Sequence, residues 1–405
     1  MASASIPPSA RFDHGIEYAG LSHVGHVRAN NEDLWRADAE LSLFAIADGM
    51  GGHQAGEVAA ATCLDTFFTE MKSLGAMHAT QAFLRAPSIE GRRSIFNVLR
   101  RAAECANDAV RAEALKIGAK EGIGCTLDAA LLVGDRAFVV HVGDSRVYLA
   151  RAAATIQLTH DHDLRAVLAA EGRLAPTQRA SIYNQLLNAI GLNAALTTDC
   201  TLVELAQGDR LVLCTDGVHE MIGGESLIAP FAKKGTPADA AQALIDAALA
   251  RGGRDNATAL VIEVSAPVMP RKETQGAARD FTIARACPLL CDLADALVLR
   301  ALAMAAEVEI DEGKTIPRVV TTDHVAYIVL DGEAEVNGIS LGASALLYAE
   351  SLLGMGRNAA RFRAVSRVRC LRLRADDFGE VCADDPRLAA ALYERLARHL
   401  ATYVR

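Results

Sequence analysis

The chain has 405 residues, 51% of them hydrophobic, and a formal net charge of −9. That length exceeds one ordinary domain, and the apolar share excludes a largely disordered polymer. About −8 of the charge falls before residue 267, which argues against general nucleic-acid binding and leaves room for a cation site.

In chain order, "MASASIPPSARFDHG" has no apolar core of a signal peptide, and no later apolar run reaches the length of a membrane span. A cytoplasmic protein that does not touch membrane is expected. Strands are predicted in "LFAIAD", "CTLDAALLV", "RAFVVHVGDS" and "RLVLCTDG", all rich in Val, Ile, Leu or Phe. Helical spacing of apolar residues marks "GEVAAATCLDTFFTEM", "SIFNVLRRAAECANDAVRAEAL" and "PADAAQALIDAALARG". Between them, residues 158–192 read as short helices broken by turns. The stretch "SAPVMPRKETQGAARD" is polar and without periodicity, so residues 267–280 are predicted to be a linker between domains at 12–266 and 281–405. After it come a helix, a set of short alternating strands, and a closing helix "DPRLAAALYERLARHLATYVR". Nine cysteines, odd in number and without a C-x-x-C pair, read as reduced, mostly buried thiols.

Chemistry is suggested by one recurring device. Asp48 in "AIADGMGG", Asp144 in "VVHVGDSR", Asp216 in "VLCTDGV" and Asp255 in "GGRDNAT" each stand where a strand meets a turn. Glu32 and Asp33 in "HVRANNED" add a fifth acidic spot. A single Asp-Gly reads as a turn and needs no function. Converging carboxylates, however, repel one another, and a hard cation such as Mg²⁺ or Mn²⁺ relieves the cost. A bare backbone at Gly49 would let a carbonyl approach such an ion.

Taken in order, "HVGHVRANNED", "AIADGMGGHQAGEVA", "HVGDSRVY", "GDRLVLCTDG" and "RGGRDNATALVIEV" resemble the successive motifs of bacterial metal-dependent protein phosphatases, the PPM or type 2C family. The resemblance covers residues 16–264. It implies an α+β fold: a four-layer α/β/β/α sandwich of two antiparallel sheets flanked by helices. It implies two Mn²⁺ or Mg²⁺ ions, with a third in bacterial members. By matched position Asp48 bridges the two, Gly49 offers its carbonyl, and Asp216 and Asp255 complete the first. Glu32 and Asp33 act through waters. Asp144 serves the third ion together with Asp216, and Arg28 grips the substrate phosphate. The implied reaction is hydrolysis of phosphoserine and phosphothreonine in proteins, the substrates of a cognate kinase, by an activated water.

His53 and His141 read as hydrogen-bonding residues, with general-acid chemistry open for His53. His160 and His162 read as turn residues or as groups that support the ligands from behind, and 165–190 matches the flap of bacterial members. Cys125 stands where relatives carry threonine, which is read as buried packing.

Residues 281–405 resemble the Crp-like cyclic-nucleotide-binding fold, a small β-barrel with flanking helices. "HVAYIVLDGEAEVNG" reads as its hairpin, with Asp331-Gly332 at the turn. The glycine of a working phosphate cassette is replaced by Ala349 before Glu350, and the arginine slot falls on Asn358, with Arg357 and Arg361 as neighbours. A regulatory or pairing module without nucleotide is therefore expected. The arginines at 361, 363, 367, 369, 372 and 374 read as a solvated face. Leu388, Leu392, Leu396 and Leu400 mark a helix that either forms a homodimer or packs on its own domain. The rival readings are a catalytically silent phosphoprotein-binding module, a cyclic-nucleotide-gated sensor and, more distantly, a two-metal nuclease.

Overall fold

The fold is described from a computed structural model of the chain. It describes residues 10–12, 15–51, 55–73, 75–119, 122–170, 173, 185–265, 274–320, 323–354 and 361–402. The chain divides into two compact units, Met1–Thr274 and Gln275–Arg405. The division falls within the expected linker, but the linker itself is shorter than predicted. Helix begins at Thr274, because Ala277, Phe281 and Ala284 give this stretch an apolar face that packs inward.

The first unit opens with β1 (Ala10–Phe12), β2 (Ile16–His23), β3 (Asp33–Asp38) and β4 (Leu43–Met50), then α1 (Gly56–Ser73), α2 (Ala76–Arg85) and α3 (Ile89–Lys116). Next come β5 (Gly124–Cys125), β6 (Leu127–Val133), β7 (Arg136–Val142), β8 (Arg146–Arg151), β9 (Ala154–Gln157) and α4 (Leu164–Ala170). It closes with β10 (Asp199–Glu204), β11 (Arg210–Cys214), α5 (Asp216–Ile222), α6 (Glu225–Ala232), α7 (Pro237–Ala250) and β12 (Ala257–Val264).

These strands form two antiparallel sheets, ordered β1-β2-β12-β11-β8-β9 and β10-β7-β6-β4-β3, with β5 beside β4. The sheets face each other. Trp35 on β3 lies against Gly20 on β2, where a Cβ would sit 2.5 Å from the indole ring. Tyr18 and Phe44 meet edge to face across the same gap, 5.1 Å between centroids. Helices α1 to α3 cover one outer face and α5 to α7 the other, which gives the α/β/β/α layering. With both faces of each sheet covered, β6 and β11 are buried at every position. That explains why their sequences are mostly apolar without alternation, with Asp128 and Arg210 the exceptions.

The second unit contains α8 (Thr274–Arg285), α9 (Asp295–Leu302), β13 (Ala306–Ile310), β14 (Val319–Val320), β15 (Asp323–Asp331), β16 (Ala334–Val336) and β17 (Ile339–Leu341). Then come β18 (Leu346–Leu347), a 3₁₀ turn at Ala349–Leu353, β19 (Arg363–Ala364), β20 (Val368–Arg374), α10 (Ala375–Asp384) and α11 (Pro386–Ala401). Among the described residues the strands make two separate sheets, β13-β20-β15-β14 with β18 on β15, and β17-β16-β19. The closed barrel expected from the sequence is not found. The predicted hairpin is also displaced. Gly332, at φ +83°, passes the chain from one sheet to the other, and the tight two-residue hairpin turns instead at Asn337-Gly338, both at positive φ.

Between these sheets Tyr327, Tyr348, Val329 and Cys370 form a core with Phe362 against it. The Tyr348 hydroxyl donates to the Ile316 carbonyl (2.9 Å) and accepts from the Phe362 N–H (3.1 Å). In α11, Leu388, Leu392 and Leu396 are wholly buried in the unit's own helical core, and Leu400 packs at its margin. The leucine row is therefore spent on internal packing and is not presented to a second copy. The row of arginines is not a bare solvated face either. Arg369 donates to both carboxylate oxygens of Asp280 (2.5 and 2.8 Å) and to Glu307 (2.8 Å), Arg367 pairs with Glu309, and Arg374 pairs with Asp323.

Candidate active site

In the first unit the acidic segments converge. A cavity of about 230 Å³ is lined by Arg28, Glu32, Asp48, Gly49, Asp144, Asp216 and Asp255, together with Met50, Gly51, Thr126, Leu186 and Asn256. Every candidate site residue except Asp33 is on its wall. Asp33 lies directly opposite Asp48 in the β3–β4 ladder and is buried behind it. Its Oδ2 accepts from the Thr215 hydroxyl (2.8 Å), while Oδ1 has no partner.

The two Asp-Gly pairs are not turns. Asp48-Gly49 lies inside β4, and Asp216-Gly217 opens α5. Glycine is required at both for the same reason. A Cβ at Gly49 would collide with the Gly56 carbonyl oxygen and come within 2.7 Å of the Glu32 carbonyl oxygen, and one at Gly217 would collide with the Asn256 carbonyl oxygen. The bare backbone thus lets the acidic segments pack together; approach of an ion is not what demands it. Between the β4–β6 ladder, which ends at Ile46, and the β4–β5 ladder, which starts at Gly49, the Asp48 N–H donates to the Thr126 hydroxyl (2.9 Å) and its carbonyl accepts from the Thr126 N–H (2.9 Å).

Asn256 organises the opposite wall. Its Oδ1 accepts the Glu32 N–H (2.8 Å), and its Nδ2 donates to the carbonyls of Val24 (3.0 Å) and Asn30 (2.8 Å). The segment carrying Arg28 and Glu32 is thereby tied to the segment carrying Asp255. Arg28 Nη2 donates to Asp255 Oδ2 at 2.6 Å, with both side chains partly exposed at the cavity mouth. The Glu32 carboxylate accepts the Gly56 N–H at the start of α1.

Electrostatically the site is strained. Burial, followed by the charges of Asp33 and Asp216, raises Asp48 well above the carboxylate range. Burial, followed by the charge of Asp216, raises Asp144 in the same way. Burial lifts Asp33 to about 7 and, with the charge of Asp255, Asp216 to about 6. Asp48 and Asp216 share the cavity wall, and the charge of Asp216 is among the causes that raise Asp48.

Among the described residues no three His, Cys, Asp or Glu side chains already stand as a closed metal-binding group. The donor set fits a hard divalent cation nonetheless. It is all oxygen, it surrounds a cavity with room for retained waters, and Asp33 holds an orphaned buried oxygen.

A sequence profile described as "Protein phosphatase 2C" matches residues 19–251. The chain belongs to the protein phosphatase 2C family. It is 34% identical over 256 residues to "Serine/threonine protein phosphatase PstP" of Mycobacterium tuberculosis, a match covering 63% of this chain and 46% of that protein. This chain thus spans less than half the length of that relative. It is 30% identical over 244 residues to "Serine/threonine phosphatase stp" of Listeria monocytogenes, covering 59% of this chain and 92% of the relative.

Among solved structures, the M. tuberculosis phosphatase PstP/Ppp superposes with a TM-score of 0.51 at 33% identity, over 62% of this chain and 98% of that one. The catalytic domain of PstP in complex with two manganese ions gives 0.50 at 32%, over 61% and 97%. The S. agalactiae serine/threonine phosphatase gives 0.53 at 29%, over 62% and 99%. The family match falls within the first unit.

Beyond the motif residues, the family unit uses Asn256, Thr126 and His219, which the sequence reading missed. Asn256 directly follows a site aspartate, and that adjacency was the available signal. Thr126 and His219 gave none. Cys125 is buried as expected, opposite Gly49, with its thiol against the Ala59 carbonyl (3.7 Å). His141 is occupied by hydrogen bonds within the fold: its ring bridges Asp128 Oδ1 and the His160 carbonyl, both at 2.8 Å. His53 lies outside the described residues, as do 171–172 and 174–184 of the expected flap. Leu186, at the flap's far end, bridges to Asp163 and reaches the cavity wall.

Proposed function

We propose that the chain is a metal-dependent phosphatase that hydrolyses phosphoserine and phosphothreonine in proteins. The observation that carries this reading is the cavity itself, where one arginine faces carboxyls drawn from five segments of the chain. Family membership supports it.

In this reading Asp48, Asp216 and Asp255, with the Gly49 carbonyl, would hold two Mn²⁺ or Mg²⁺ ions. Glu32 and Asp33 would act through waters, and Asp144 would serve a third ion with Asp216. Such ions supply positive charge against the phosphate and acidify water. Arg28, at the exposed mouth, exchanges its bond from Asp255 to a phosphate oxygen, and its planar guanidinium suits a phosphate edge. In this reading water is the attacking group; the one hydroxyl on the described wall, Thr126 Oγ1, already accepts from the Asp48 N–H and bonds to the Ser145 hydroxyl at 2.8 Å. The carboxyls, once ionised around cations, fix the reacting groups in place and need not transfer protons.

The test is release of phosphate from p-nitrophenyl phosphate and from a phosphothreonine peptide, with Mn²⁺ and with EDTA. Hydrolysis with Mn²⁺ that EDTA abolishes supports an enzyme. Peptide binding without hydrolysis supports the silent binding module instead.

The second unit is proposed as a regulatory module of Crp-like ancestry that binds no cyclic nucleotide. Its inter-sheet space is filled by Tyr327, Tyr348 and Phe362. At the cassette position Ser351 Oγ accepts from Arg318 (3.4 Å), whose guanidinium also lies 3.9 Å from Glu350. Asn358 and Arg357 lie outside the described residues. Calorimetric heat on adding cyclic AMP or cyclic GMP would overturn this part.

A further inference from the structure

The Gly143–Asp144 turn is gripped from two sides by histidines that are far away in sequence. His162 Nδ1 accepts the Gly143 N–H (3.2 Å) and an Asn188 Nδ2–H (2.9 Å), while the His162 N–H donates to the Gly143 carbonyl (2.7 Å). His219, almost fully buried, places Nε2 at 2.9 Å from the Asp144 carbonyl. A carbonyl only accepts, so that nitrogen carries the proton.

His219 lies three residues after Asp216 on α5, and residues so spaced share a helix face. One face of one short helix therefore presents a carboxyl to the cavity that Asp48 also lines and an imidazole to the backbone of Asp144. Among the described residues the turn bearing Asp144 lies outside the strand ladders, which end at Val142 and resume at Arg146.

We propose that His219 is a positioning residue which, by holding the Asp144 carbonyl, sets the separation of Asp144 from Asp216 and with it the cavity's affinity for its weakest divalent cation. This rests on the reading of the cavity as a cation site. Groups that orient ligands in this way are worth roughly 10- to 100-fold in metal affinity.

The experiment titrates Mn²⁺ alone into the full chain by calorimetry, for the wild type, His219→Ala and His219→Gln, with folding checked by circular dichroism. The alanine variant is expected to lose about tenfold affinity at the weakest site and to keep the tighter sites. Glutamine, whose amide can still donate, is expected to recover most of the loss. Unchanged Mn²⁺ binding in folded His219→Ala overturns the proposal. So does an equal loss at every site, which would mark a merely structural role. Should alanine not fold, folded His219→Gln with wild-type binding supports the proposal, and failure of both to fold overturns it. A wild-type chain that binds no Mn²⁺ would sink the cation-site reading itself, a result distinct from any of these.

Discussion

The two units treat charge in opposite ways. In the first, Asp48, Asp144 and Asp216 crowd one cavity with Asp33 behind them and a single arginine, Arg28, at the mouth, and their carboxyls are driven upward by burial and mutual repulsion. On the strands of the second, three arginines of the row meet acids: Arg369 with Asp280 and Glu307, Arg367 with Glu309, Arg374 with Asp323. Structural charges are cancelled within the fold. Uncancelled charges held in place by a rigid scaffold cost stability and persist where a ligand will cancel them. The contrast points to the first unit as the seat of chemistry and gives no such sign in the second.

The sharpest attempt to break this contrast is Asp48→Asn. Hydrolysis of p-nitrophenyl phosphate with Mn²⁺ should fall by about 10³-fold or more, as when a central electrostatic group is removed. The same variant in EDTA should melt higher than the wild type, since one of the repelling carboxyls is gone. A lower melting point would mean that the carboxyls stabilise the ion-free protein and that the contrast is false.

Next in size is Leu392→Ala in the second unit. Leu392 is fully buried, and its truncation should cost about 3 kcal/mol, read as a shifted denaturant midpoint. Dimerisation through this helix predicts the opposite: a changed sedimentation coefficient with little loss in monomer stability.

Saturating Mn²⁺ should stabilise the wild-type chain by about 2.7 kcal/mol at one hundred times its dissociation constant, and EDTA should reverse the gain. Calorimetric melting with and without the ion measures it, and Asp48→Asn should show little of the effect.

The smallest effect concerns a charge pair of the first unit that behaves like those of the second. His141 is held at about 9 against an ordinary 6.5: burial lowers it, and the charge and hydrogen bond of Asp128 more than compensate. A histidine raised in the fold contributes stability that is whole below pH 6.5 and is lost as pH climbs through about 9. The wild type should exceed His141→Gln by about 1–2 kcal/mol at pH 6, and the gap should close above pH 9. A gap that widens with pH would show that the imidazole is buried neutral.

Much of the cavity was legible beforehand because its residues sit in short motifs whose order survives without the fold. Arg28, Asp48, Asp216 and Asp255 were named from such motifs, and all four reach one cavity. The reason for Gly49 and Gly217 was not legible. Asp-Gly reads locally as a turn, and only the approach of Gly56 and Asn256 from elsewhere in the chain demands glycine there. In the second unit, alternation located the strands but not their partners. A β-strand's pattern gives which side chains share a face and is silent about which strand lies beside it, so the hairpin fell at Asn337-Gly338 and not at Asp331-Gly332.

The amino-acid order alone determined the family, the acidic character of the site and the positions of the apolar strands, because periodicity and motif spacing are local properties of a chain. Tertiary structure alone decided that Asp48 and Asp216 share one cavity wall, that Asn256 and His219 brace the segments bearing the acids, and that Arg367, Arg369 and Arg374 of the second unit are already paired. Those facts depend on distances between residues up to some two hundred positions apart. Such distances are fixed by how buried surfaces pack and carry no signature in the neighbouring sequence.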